Sequence, residues 1–324
     1  MDKLAAIRRP VEKELAHYIE LFDEALSHKD DYLGTALAYV RQRRGKMMRP
    51  LLVLLVAREV GEVSLPALRS AVTLEILHTA SLVHDDIVDE SEERRGQAST
   101  NSKFGNKVAV LVGDYLLSQA LHQSALTGSV RCVDILARLG STLSEGEVLQ
   151  LANIRTEEFS VDAYYDVVRR KTAELFATCA QLGAISQGAD DAFVEAARHL
   201  GEMIGMGFQI RDDIFDYYDD ARIGKPTGND MHEGKLTLPV LHVLSTTDDA
   251  ALHAAAKRVR AGKASPADVS LLVSETKARG GIDYARSVMD DFRAKALDDL
   301  AHFSNPEIKA ALEGYVDYAI DRNI

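Results

Sequence analysis

Apolar residues recur at intervals of three and four along most of the chain. Between 67 and 89, Leu68, Val72, Ile76, Ala80 and Val83 mark one face of a helix. Comparable patterns predict helices over 4–26, 49–60, 107–126, 130–152, 162–187, 192–218, 281–302 and 306–320. Val-rich patches such as Val108 to Val112 are compatible with strand, but they lie inside longer helical periods and nothing nearby alternates with a strand's period of two. Residues 90–106 and 219–235 are polar and irregular and read as loops, and Gly45 and Pro50 frame a short basic turn. The expected fold is all-α: one large bundle of about a dozen helices around a central cavity, with residues 1–324 forming a single domain because no linker or low-complexity tract divides them.

Composition narrows the class. Among the 324 residues there are seven prolines and no tryptophan, and 46% are apolar, enough for a large core. Fifty Asp and Glu against 38 Lys and Arg leave a net charge of -12, a poor basis for a nucleic-acid partner. Two cysteines, Cys132 and Cys179, make no disulfide framework and suit a reducing compartment. The opening MDKLAAIRRPVEKELAHY is charged throughout, unlike a signal peptide, and the longest strongly apolar run, Leu51 to Ala57, is too short to span a bilayer. The expectation is a soluble cytoplasmic protein with no transmembrane segment.

The strongest chemical signal is a pentapeptide pattern that occurs twice, Asp85-Asp86-Ile87-Val88-Asp89 and Asp212-Asp213-Ile214-Phe215-Asp216. Each ends a predicted helix. At 100° per residue His78, Ser81, Asp85 and Asp89 form one stripe, and Gln209, Asp213 and Asp216 another. A solvated helix end is the plain alternative, but acids at a helix C-terminus oppose the macrodipole, and two such stripes make that alternative weaker. If the stripes face each other, six carboxylates converge, and their repulsion calls for cations. All-oxygen ligands suit Mg²⁺; the EF-hand loop pattern is absent and zinc lacks its Cys and His company. Lys46, Arg49, Arg94, Arg95, Lys171, Arg211, Lys225 and Lys235 surround these acids in sequence. Carboxylates for Mg²⁺ beside cations that grip phosphate oxygens describe a pocket for diphosphate esters. Neither a Walker A sequence nor a glycine-rich Rossmann turn points to a nucleotide.

At these residues the sequence resembles the trans-type polyprenyl diphosphate synthases, the head-to-tail isoprenoid chain elongators. The likeness runs from Gly45 to about Pro239, some three-fifths of the chain. It rests on GKMMRP, LHTASLVHDDIVDESEERRG, FGNKVAVLVGDYLL, the Lys171-Thr172 pair, GFQIRDDIFDYYDD and GKPTGNDMHEGKLTLP. The resemblance implies an all-helical homodimer in which Asp85, Asp89 and Asp212 hold several Mg²⁺ ions on an allylic diphosphate. Asp86, Asp213 and Asp216 would be supporting or water-mediated ligands. Arg94, Lys171, Thr172, Gln209, Lys225 and Lys235 match positions that hold the allylic substrate, and Lys46, Arg49, His78 and Arg95 those that hold isopentenyl diphosphate. His78 also suits a satisfied core position, although its place on the aspartate stripe favours a ligand. The implied reaction ionises the allylic C–O bond, joins the cation to the isopentenyl double bond, and loses a proton to the released diphosphate.

Ala80 and Ser81 lie about one turn before Asp85, where short-chain members of the family carry a bulky aromatic that closes the cavity. Small residues here favour a long product, heptaprenyl to nonaprenyl; the plain alternative is that they let neighbouring helices approach. A farnesyl or geranylgeranyl diphosphate synthase is the alternative. A class I terpene cyclase fits less well, because the second motif here is DDIFD and the Lys46–Arg49 pair is present. A non-catalytic synthase subunit fits poorly too, since all six aspartates are retained.

Overall fold

The computed structural model describes residues 3–29, 31–42, 45–94, 96–154, 159–218 and 227–320. Helix dominates, as the periodicity predicts. In chain order the helices are α1 (Lys3–Arg8), α2 (Glu12–Ala25), α3 (Asp31–Gln42), α4 (Met48–Val60) and α5 (Leu65–Val88). A two-stranded hairpin, β1 (Glu93–Arg94) and β2 (Gln97–Ala98), precedes α6 (Thr100–Phe104), α7 (Asn106–Ala125) and α8 (Val130–Ile154). Then come α9 (Val161–Val168), α10 (Glu174–Ile185), α11 (Asp191–Phe215), α12 (Asn229–His232) and α13 (Leu238–Ser245). The last are α14 (Ala250–Arg260), α15 (Pro266–Ala278), α16 (Gly281–Asp299) and α17 (Pro306–Ile320). Val108 to Val112 lie in α7, so the strand alternative is excluded there.

Seventeen α-helices among the described residues exceed the dozen expected. Helices α3, α13, α14 and α15 lie outside the segments predicted from periodicity, although α14 buries Leu252, Ala255, Ala256 and Val259 at three-four spacing. The segment 90–106 is only partly loop, since it contains the hairpin and α6. The stretch 162–187 is broken by one turn of π-helix at Arg169–Ala173, between α9 and α10.

The chain forms two compact units. The first comprises Met1–Gly140, Leu175–Gly201 and Asp299–Tyr315. At its heart lies α4, whose residues Leu51 to Ala57 are all fully buried. A helix apolar on every side has to be wrapped by others. Helices α2 and α5 pack on it, and α7 packs on α5. The Tyr315 hydroxyl donates to the Met48 carbonyl at 2.9 Å and ties α17 to the start of α4. Ser64 caps α5 by accepting from the Ala67 N–H, and Pro66 sits in the first turn, where its missing N–H costs nothing.

The second unit comprises Ser141–Glu174, Glu202–Asp298 and Val316–Ile324. Val168, Ala173 and Met206 form a core cluster with Tyr164, Tyr165 and Phe292 packed on it. Helices α14 and α15 pair through a two-pronged ion pair from Arg258 to Asp268, at 2.5 and 3.0 Å. Asp268 also completes a capping box with Ser265 at the start of α15.

Candidate active site

In the first unit, α5 carries the first acidic motif at its C-terminal end. The Asp89 N–H closes on the Asp85 carbonyl at 2.8 Å, and Glu90, with φ 50°, turns the chain out of the helix. The Ser91 N–H and the Asn101 side chain both donate to the Asp86 carbonyl, folding the hairpin back over the helix end. That return brings Arg94 onto the buried Asp86, with Nε donating to Oδ1 at 2.5 Å. Asp85 is left half-buried and Asp89 exposed. Gly45, His78, Asp86 and Arg94 together line a small cavity of about 60 Å³. Lys46, next to Gly45, is exposed, and its carbonyl accepts from Arg8 at 2.8 Å. Arg49 lies 5.2 Å over the Phe176 ring.

Ala80 and Ser81 line neither this cavity nor the one described below. Ala80 is fully buried in α5, and Ser81 donates its hydroxyl to the His78 carbonyl at 2.9 Å. Burial also raises the Cys179 thiol far above its ordinary range, which keeps it protonated and unsuited to nucleophilic work.

In the second unit a cavity of about 760 Å³ gathers Lys171, Thr172, Gln209, Asp213 and Lys235. Lys171 and Thr172 enter it from the π turn, beside Tyr164, Val167 and Val168 of the regular helix α9. Gly146 of α8 leaves room for the Lys171 stem, since a Cβ there would fall 2.8 Å from Lys171 Cγ. Lys171 then meets Glu147 at 2.6 Å and Gln150 at 3.0 Å. Lys235 pairs with Glu233 at 2.8 Å. Both cations are therefore held by weak counter-charges at partly exposed positions, an arrangement that an incoming anion of higher charge can displace.

The second acidic motif ends α11, and its three aspartates differ in surroundings. Asp212 is exposed and accepts from Arg211 at 2.8 Å. Arg211 is itself fixed by donating to the Ala319 carbonyl and lying 4.6 Å over the Phe208 ring. Asp213 is buried and accepts from Tyr164 at 2.5 Å and from Gln209 at 2.9 Å. Burial pushes its pKa above the usual carboxylate range, and the nearby Asp230 adds to the rise, while the Tyr164 and Gln209 hydrogen bonds oppose it. Burial and then Asp213 likewise hold the Tyr164 phenol protonated. Asp216 caps the start of α12 by accepting from the Asn229 and Asp230 N–H groups.

Arg95 and Lys225 lie outside the described residues. Tyr164, Asp230 and Arg260 line the larger cavity, yet none stands out in the sequence. Tyr164 reads there as part of an apolar stripe, and Asp230 as one more polar residue in a loop. Among the described residues no three His, Cys, Asp or Glu side chains gather into a ready-made metal cage. Asp85, Asp89 and Asp212 are instead accessible carboxylates at helix ends. Carboxylates of this kind, at either helix end, suit Mg²⁺, which is commonly held by one or two carboxylates with water and phosphate oxygens completing its octahedron.

Residues 30–275 match the polyprenyl synthetase family. Octaprenyl diphosphate synthase of Haemophilus influenzae is 37% identical over 90% of this chain and 88% of its own. Two solved structures are also similar. Geranylgeranyl pyrophosphate synthase from Bacteroides thetaiotaomicron has a TM-score of 0.88 and 45% identity, covering 99% of this chain and 100% of the other. Polyprenyl synthase from Caulobacter crescentus, complexed with calcium and isoprenyl diphosphate, has a TM-score of 0.92 and 32% identity, covering 99% and 98%.

Proposed function

The chain belongs to the polyprenyl synthetase family and is a prenyltransferase, and on that premise we propose that it condenses isopentenyl diphosphate with an allylic diphosphate to give a long-chain all-trans polyprenyl diphosphate. The observation that carries this reading is the larger cavity, where Lys171, Thr172, Gln209 and Lys235 converge beside Asp213. With Lys225 and Arg94 these residues hold the allylic diphosphate. Lys46, Arg49, His78 and Arg95 hold the diphosphate of isopentenyl diphosphate.

Asp85, Asp89 and Asp212 would hold the Mg²⁺ ions, which would supply Lewis-acid neutralisation of the diphosphate charge. Asp86, Asp213 and Asp216 serve as supporting or water-mediated ligands, consistent with their commitment to Arg94, to Tyr164 and Gln209, and to the start of α12. Lys171 and Lys235 exchange their carboxylate partners for phosphate oxygens and spread positive charge over the leaving group. Apolar wall residues such as Val168 and Leu241 exclude water from the allylic cation. The released diphosphate takes the proton that the new product loses.

The octaprenyl relative and the small side chains at Ala80 and Ser81 favour a long product. A shorter, geranylgeranyl product is the second reading, favoured by the 45% identity to the Bacteroides enzyme. The proposal includes one domain over residues 1–324, since the family match runs through segments of both units. It includes a homodimer, supported by Leu111, Leu117 and Leu121, which α7 leaves exposed. It also includes a cytoplasmic location, and no described helix is long and apolar enough to cross a membrane.

The test is incubation of purified protein with Mg²⁺, labelled isopentenyl diphosphate and farnesyl diphosphate. Labelled heptaprenyl to nonaprenyl diphosphate is expected, and labelled geranylgeranyl diphosphate alone would establish the second reading. Hydrocarbon formed from the allylic substrate without label would mean a cyclase. Turnover only with a second protein would mean a subunit.

A further inference from the structure

One wall of the larger cavity holds a continuous chain of side-chain hydrogen bonds. Thr172 donates to Gln209 Oε1 at 2.9 Å, Gln209 Nε2 donates to Asp213 Oδ1 at 2.9 Å, and the Tyr164 hydroxyl donates to Asp213 Oδ2 at 2.5 Å. Three elements contribute: α9 gives Tyr164, the π turn gives Thr172, and α11 gives the other two. We propose that Tyr164, which the prenyl-transfer chemistry does not itself require, is a positioning residue that fixes Thr172 and Gln209 for the allylic diphosphate.

The direction of the chain carries the inference. Each oxygen of the Asp213 carboxyl group takes one donor, Gln209 Nε2 on Oδ1 and the Tyr164 hydroxyl on Oδ2, so Gln209 turns its amide nitrogen towards Asp213. The amide oxygen then faces Thr172, whose hydroxyl becomes the donor. Nothing in the Gln209 side chain alone would choose this orientation, because the two ends of an amide have nearly the same shape. Tyr164 keeps the carboxylate turned to this task. The ring cannot drift, being edge-on to Tyr165 at 5.5 Å and packed on the Val168, Ala173 and Met206 cluster. Without its hydroxyl, Asp213 Oδ2 loses its donor, the carboxylate rotates, and Gln209 is free to turn over. Thr172 then no longer presents a single arrangement to the substrate.

This inference rests on the proposed prenyl transfer, and Tyr164→Phe tests it while removing one oxygen atom. The variant should raise the KM for farnesyl diphosphate about tenfold, the equivalent of one hydrogen bond, and leave the KM for isopentenyl diphosphate unchanged. Combined with Thr172→Ala, it should add less than about twofold to the effect of Thr172→Ala alone, because both cut the same chain. Should Tyr164→Phe fail to fold, as judged by circular dichroism, Asp213→Asn takes its place in the same cycle with Thr172→Ala. An unchanged farnesyl KM, an equal rise in both KM values, or multiplicative effects would each overturn the inference in a protein that elongates. Wild-type protein that does not elongate would overturn the prenyl-transfer reading instead.

Discussion

Gly205 of α11 and Ala173 of the π turn meet backbone to backbone: a Cβ on Gly205 would fall 2.5 Å from Ala173 Cα. That close approach is what lets Thr172, next to Ala173, reach Gln209, one turn on from Gly205. Gly201 plays the same part for Phe176, whose carbonyl a Cβ would meet at 2.4 Å. Backbone atoms cannot move aside as a side-chain tip can. Gly205→Ala should therefore destabilise the protein by about 1–3 kcal/mol, the cost of overpacking a filled interior. Urea denaturation measures it, and an unchanged midpoint would show that the two segments part without strain.

The Arg258–Asp268 pair gives a prediction about pH. Arg258 first, and then Ser265, hold the Asp268 carboxyl below its ordinary range. A carboxylate depressed in the folded state stabilises fully above its unfolded pKa of about 4 and loses that contribution as pH falls through the folded value. Arg258→Ala should lower the Tm at neutral pH, and the deficit should shrink once the pH drops below about 4. A deficit of constant size from neutral to strongly acid solution would assign the loss to packing of the arginine stem.

Product length is predicted from α5. Ser81 is partly exposed, whereas Ala80 is fully enclosed, so a phenylalanine enters at 81 with less disturbance. Ser81→Phe should shorten the main product by at least one isoprene unit, each unit needing about 5 Å of tunnel. Ala80→Phe should do likewise at a larger cost in Tm. Chromatography of the dephosphorylated products decides, and an unchanged distribution in both variants would remove these residues from the control of length.

Much of this was legible in the sequence, for identifiable reasons. Helix α5 keeps the three-four period of Leu68, Val72, Ile76, Ala80 and Val83, and both acidic motifs stand at helix ends as the pattern requires. Helix α13 was not legible, because LPVLHVLS is short and nearly all apolar, and at that length periodicity cannot tell a buried helix from a strand. Helix α15 did carry a signal, the Ser265-Pro266-Ala267-Asp268 cap, which the weak period behind it obscures. The π turn leaves no trace in hydrophobicity, since inserting one residue into a turn shifts the phase without ending the pattern. Tyr164 was hidden for a related reason. Its ring belongs to the core, and only its hydroxyl belongs to the site.

The most direct test of the central claim is the turnover of Asp85→Ala and Asp212→Ala as a function of Mg²⁺ concentration. Each variant should fold normally by circular dichroism and lose at least about a hundredfold in turnover, as expected when an electrostatic anchor for the leaving group is removed. Near-normal turnover at ordinary Mg²⁺ in either variant would contradict the assignment of these helix ends to the metal-bound diphosphate.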